Sequence, residues 1–385
     1  MNRCRRISDN PIVNRHPIVF AMSRLLLCLW IVLPWLAGCQ HRPFLMRGAM
    51  NVGGNMGMTG DMKMTGDMAM TGDMTTRMKV DNTASRLATV SVAGQPHAAA
   101  KIAIVDVDGL LVDQNLSGFG SMGENPVALF HEKLQVIAAD PAIVALVLRI
   151  NSPGGGVTAA DIMAHDLSRL REARSLPVVA CLMDVGAGGG YYLATHADTI
   201  VAHPTSVVGG IGVILNHYNM EDTMGQFNVL SMPIKAGEKI DLGSPERVLE
   251  VDERLLLQQM ADSFHDRFIT QVRRGRPRLA ATGAQADIFD GRVMSGVQAA
   301  EQALIDRVGY LDDAIDLARH MAGVSEAASI VMLRRENDRA HTVLDVTPNQ
   351  PLQTSLIPFK LPGLDRSSMP TFLYLWQPEP SLTTR

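Results

Sequence analysis

The sequence predicts an α/β fold built on a parallel sheet, and three observations carry that prediction. Two short runs, 143–151 and 178–183, are almost wholly apolar, as strands covered on both faces are. Segments with helical periodicity follow them, so strands and helices alternate along the chain. Glycine-rich turns at 154–156 and 188–190 stand where each of those strands gives way to a helix.

In chain order, Ile102–Val107 (IAIVDV) reads as the first strand and 126–139 as a helix ended by Asp140-Pro141. The run 143–151 (IVALVLRIN) is a buried strand, 157–174 a helix, 178–183 a second buried strand and 190–196 a short helix. A strand at 199–202 comes next, then a long amphipathic helix over 251–273 and a helix pair within 296–322. A last strand is expected at 330–333. Beyond it, prolines at 348, 351, 358, 362, 370, 378 and 380 predict an extended tail.

The first hundred residues have a different composition. Arg24 precedes the apolar run 25–36 (LLLCLWIVLPWL), followed by Ala37-Gly38-Cys39. Twelve apolar residues are short for a membrane span, and small residues at a cleavable site indicate an export signal. Leu36-Ala37-Gly38-Cys39 resembles a bacterial lipobox, which implies lipidation of Cys39 and a membrane-anchored, extracytoplasmic protein; Met22 is an alternative start. Residues 1–38 are thus expected to be the signal and 39–98 a flexible tether, spanning roughly 40 Å root-mean-square. The tether repeats Met-Thr-Gly-Asp-Met from Met58, Met64 and Met70. Thioethers suit Cu(I), so Met58, Met62, Met64, Met68 and Met70 make a soft-metal lipoprotein one reading, and a plain disordered spacer the other. A net charge of −4 offers nothing to nucleic acid. With Cys4 and Cys28 in the signal and Cys39 lipidated, Cys181 is the remaining thiol, which leaves no intrachain disulfide.

The chemistry-bearing motifs are Asn151-Ser152-Pro153-Gly154-Gly155-Gly156, then Ala187-Gly188-Gly189-Gly190-Tyr191-Tyr192, then Val208-Gly209-Gly210-Ile211-Gly212. With Lys235-Ala236-Gly237-Glu238, Gly243-Ser244-Pro245 and Asp290-Gly291-Arg292-Val293, they resemble the signal peptide peptidase A (SppA-like) serine peptidases of the ClpP/crotonase fold group, over about 101–322. The resemblance implies a layered parallel sheet with flanking helices in a domain at 99–324, followed by a Pro-rich extension at 325–385. It also implies hydrolysis by a serine–lysine dyad, with an oxyanion held by backbone amides near Gly154, Gly155 and Gly189. No cofactor is implied. The family's serine slot falls on Gly188 and its lysine slot on Ile240, and neither side chain can do that chemistry. The substitutes in sequence are Cys181 as nucleophile and Lys239 as base, the latter one position early on an extended segment. Asp184, Ser152, His196 and His203 read as structural, Ser152 as a cap within its turn. No H-E-x-x-H or C-x-x-C spacing offers zinc.

The expected function is therefore a membrane-tethered pseudopeptidase that binds peptides or partner subunits. The resemblance further implies ring assembly, either homo-oligomeric or with an active paralogue. The competing readings are an active protease cleaving signal-peptide remnants through a non-standard site, and the soft-metal lipoprotein.

Overall fold

The computed structural model describes residues 86–115, 124–280, 286–335, 341–345 and 372–376. The expected export signal, Cys39, the methionine repeat and most of the C-terminal extension lie outside the described residues.

The strands are β1 (Ala88–Ala93), β2 (Lys101–Leu111), β3 (Ile143–Gly156), β4 (Val178–Ala187), β5 (Thr199–Ala202), β6 (Val207–Gly209), β7 (Val293–Ser295), β8 (Arg307–Val308), β9 (Ser329–Arg334) and β10 (Leu373–Leu375). The helices are α1 (Pro126–Ala139), α2 (Val157–Arg174), α3 (Gly189–Ala194), α4 (Glu221–Gln226), α5 (Val251–Gly275), α6 (Gly296–Glu301) and α7 (Leu311–Ala322). Among the described residues one sheet runs in the order β1-β9-β2-β3-β4-β5-β8. From β9 to β8 every neighbour is parallel, and β1 adds an antiparallel edge. This is the α/β layered parallel sheet with flanking helices that the sequence predicts.

Successive residues of β4 serve opposite faces, which is why its sequence is apolar throughout. Val178, Ala180 and Leu182 join the core under α1, α2 and α3, where Phe130, Met163, Leu167 and Tyr192 pack. Val179 and Cys181 join a second core under α7, beside Leu311, Ala314, Ile315 and Ala318. The helix boundaries follow local chemistry. Asn125 caps α1 by accepting from the amides of Val127 and Ala128. Glu250 and Glu253 form a reciprocal capping box at the start of α5. Gly323 closes α7 in the left-handed conformation.

The sheet passes both expected domain boundaries. Residues 88–93, assigned to the tether on composition, form β1, with Thr89 opposite Leu333 and Val90 opposite Met332. At the other end the tail is not simply extended: Leu373–Leu375 returns as β10, antiparallel to the end of β3. A strand needs a neighbour to satisfy its amides, and neither neighbour can be read from a local window.

One buried charge cluster lies beneath this architecture. Asp106 on β2 is ion-paired to Arg149 on β3 and to Arg334 on β9, all nearly inaccessible to water. Lys133 of α1 is buried nearby, and desolvation lowers its pKa. Asp108, two residues along the same strand, is pushed up to about 6 by burial and then by the charge on Asp106.

Candidate active site and its glycine-rich groove

β3 and β4 run in parallel register, with Ile150 opposite Leu182 and Ser152 opposite Gly186, so the glycines that end each strand meet. A Cβ on Gly154 would lie 2.6 Å from the Gly189 nitrogen. A Cβ on Gly190 would lie 2.7 Å from the carbonyl oxygen of Ser152. Backbones this close explain why both turns are written in glycine. The structure thus brings Gly154, Gly155, Gly188 and Gly189 into one place.

Gly188 opens α3 with φ 50° and ψ −125°. Its amide donates to the Gly209 carbonyl at 3.0 Å, and its own carbonyl accepts from Tyr192 N at 2.9 Å. Ser152 is fully buried, and its hydroxyl is committed on both sides: Oγ donates to the Gly109 carbonyl at 2.6 Å and accepts from Gly154 N at 3.1 Å. This bears out Ser152 as a cap. It also corrects the reading of Gly154 as a free oxyanion donor, because its N–H is turned back onto the serine two residues earlier.

The groove beside these glycines is filled by β10. Tyr374 stands opposite Gly155, Leu373 opposite Gly156 and Leu375 opposite Gly154. Trp376 N donates to the Pro153 carbonyl at 2.9 Å, and Val157 N donates to the Phe372 carbonyl at 3.2 Å. On its other edge Leu373 exchanges hydrogen bonds with Ile214, at 2.9 and 3.0 Å. The ring of Tyr374 is fully buried, 4.7 Å from Phe268 and 5.3 Å from Tyr192 between centroids, and its hydroxyl donates to the Phe264 carbonyl at 2.6 Å. Burial pushes the Tyr192 hydroxyl up to about 12, and that hydroxyl donates to Asp161.

The base position lies in a different setting. Ile240 is 73% exposed, on a segment whose hydrogen bonds run to itself and to the start of α5. Lys239 is paired with Asp252 at 2.7 Å, with Glu250 at 3.3 Å and with Glu253 at 3.6 Å. The hydrogen bond to Asp252 leads the effects that raise its pKa. A lysine held protonated in this way is a poor proton acceptor. Cys181 fares no better: it is fully buried in the core under α7, on the face of β4 opposite to α3, and burial pushes its thiol up to about 12. Both substitutes that the sequence offered are therefore unsuited to the chemistry. His196 donates from Nδ1 to the Tyr192 carbonyl and is pushed down to about 4 by burial, while His203 packs at a tilt against Tyr310. Asp184 is an exposed residue within β4. Among the described residues no group of three His, Cys, Asp or Glu side chains is placed to hold a metal.

Residues 171–325 match the model for peptidase family S49. A putative signal peptide peptidase SppA from Enterococcus faecium is 30% identical over 230 residues, covering 60% of this chain and 66% of that protein. A putative protease of Synechocystis is 36% identical, covering 47% of this chain and 64% of the relative; Protease 4 of Salmonella typhi is 28% identical, covering 72% and 41%. The chain is an SppA-like member of the S49 peptidases. It spans under two thirds of the length of each of these relatives.

The sequence reading missed Tyr374, Phe372 and their partners Phe264 and Phe268. The signal was present: Phe372-Leu373-Tyr374-Leu375-Trp376 is an uncharged, β-prone run amid prolines.

Proposed function

We propose that this chain is a catalytically deficient SppA-like protein, tethered to a membrane by its N-terminal leader, which binds extended peptide without cutting it. One observation carries the reading. The position where the resemblance requires a serine is a glycine in a tight backbone junction, and the nearby hydroxyl of Ser152 is buried and bonded on both sides. A hydroxyl engaged on both sides in this way is poorly placed to become an attacking alkoxide. The exposure and ion pairs of the 239–240 segment support the same reading from the base side.

Assembly with copies of itself, or with an intact SppA-like chain, is supported by the apolar residues exposed over α5 and the segment before it. Phe227, Leu230, Met232, Val251 and Leu255 all stand more than half exposed. Among the described residues no helix is long and apolar enough to cross a membrane, so the tether rests on the leader and Cys39.

The test is hydrolysis of an unstructured peptide panel by the full chain. The expected result is no turnover above the rate of heat-denatured protein. Turnover that disappears in Cys181→Ala or Lys239→Ala would overturn the proposal and establish a non-standard active site.

A further inference from the structure

We infer that the C-terminal strand is this groove's resident ligand: the chain carries its own uncut peptide, seated as a substrate would be, and Gly188 is the residue that lets it stay. The inference rests on reading the groove as a peptide site and goes beyond it by naming the occupant and the residue it presents.

The seating is that of strand addition, in which main-chain hydrogen bonds hold an extended segment and a pocket reads its side chain. Both edges of the 372–376 backbone are engaged, by Pro153 and Val157 on one side and Ile214 on the other. Its central side chain, Tyr374, fills an aromatic pocket formed by Tyr192 and Phe268 and closes it with a hydrogen bond to Phe264. The register singles out one peptide bond. A Cβ built on Gly188 falls 2.8 Å from the carbonyl carbon of Tyr374 and 2.3 Å from its oxygen. Any nucleophile carried on that Cβ would therefore face the Tyr374–Leu375 bond, and any side chain at all would collide with it. With hydrogen at 188 the collision and the attack both vanish. A Cβ on Gly154 would strike the same carbonyl oxygen, at 1.8 Å. The two glycines thus frame the Tyr374 carbonyl from two sides.

The ligand class follows from the pocket and the edges. It is an uncharged extended segment with a central tyrosine flanked by leucines, and an outside peptide must displace the chain's own copy to enter.

The experiment is titration of a fluorescent peptide spanning residues 369–379 into the full chain and into the full-length Tyr374→Ala variant. The expected outcome is at least tenfold tighter binding to the variant, with no binding of a peptide whose own tyrosine is alanine. Equal affinity of the native peptide for both proteins would overturn the inference. Should Tyr374→Ala not fold, hydrogen exchange on the unmodified chain decides: the amides of Leu373, Trp376 and Ile214 are expected to exchange at least a hundredfold more slowly than free amides. Exchange at the free rate would overturn it. Mass spectrometry of the same sample separates this inference from the pseudopeptidase reading. Loss of residues 375–385 by cleavage after Tyr374 would sink both, whereas an uncut chain whose Leu373 and Trp376 amides exchange at the free rate would sink the occupancy alone and leave the pseudopeptidase reading standing.

Discussion

At Gly188 the chain is dry and filled, and at Ile240 it is wet and open. Around Gly188, four backbone segments converge so closely that a single methyl group has no place, and the remaining space is taken by Tyr374. Around Ile240, itself 73% exposed, the contacts are ion pairs: Lys239 with Asp252, Lys235 with Asp241, Arg247 with Asp241 and with the buried Glu253. Two carboxylates are shifted in opposite directions by different causes: burial raises Asp108 to about 6, whereas hydrogen bonds from Arg247 pull the buried Glu253 down to about 2. The lesson is that the two positions to which the resemblance assigns one reaction sit in physically different settings. One is confined by packing, the other is a side chain open to water.

The contrast can be broken most forcefully at the turn. Gly154 has φ 106°, and its Cβ would meet Tyr374 O at 1.8 Å and Gly189 N at 2.6 Å. Release of β10 would relieve the first clash but not the second, so Gly154→Ala is expected to cost about 4 kcal/mol or prevent folding, measured by urea denaturation. A loss under about 1 kcal/mol would mean the junction is looser than described.

A smaller effect, of opposite sign, is expected at Asp108, whose Oδ2 is buried without a hydrogen-bond partner. Its folded pKa is raised, so the stability it contributes is full below about 3.8 and is lost as pH rises through about 6. Asp108→Asn is therefore expected to stabilise the protein at pH 7.5 by about 1–3 kcal/mol and to flatten the stability profile between pH 4 and 6. A destabilised variant at pH 7.5 would show that the charge is paired in solution.

In the open segment the sign reverses. Glu253 is held low, so its contribution is present above about 4.5 and lost as pH falls toward 2. Protection at the start of α5, taken relative to free amides at the same pH, is expected to fall over that window in the unmodified chain, and Glu253→Gln is expected to show the lower protection already at pH 7. The smallest effect is expected at the base position itself: Ile240→Lys should change stability by less than about 0.5 kcal/mol in thermal melts, because it alters an exposed side chain. A large loss there would show that Ile240 is covered in an assembly.

Much of this was legible in the sequence because the physics was local. The boundaries of α2 and β5, the alternation that makes a parallel sheet, and the glycines at both turns follow from periodicity, cap chemistry and the absence of a Cβ. Burial of both faces explains the apolar run of β4, and that run also places Cys181 among core residues. Ser152 as a cap was legible for the same reason, since its partners are two residues away in its own turn and on the adjoining strand. What was not legible depended on partners distant in sequence. β1 looked like tether until paired with β9, more than two hundred residues away, and 372–376 looked like tail until its edges met β3 and Ile214.

By itself the sequence determined the class of fold, the junction of glycines and the absence of a side chain at 188, because each is a property of residue type and near-neighbour spacing. Only the tertiary structure decided what fills the space that glycine leaves. A strand of five apolar residues carries no address, and it acquires one when both of its edges and its tyrosine find partners that chain order keeps far apart.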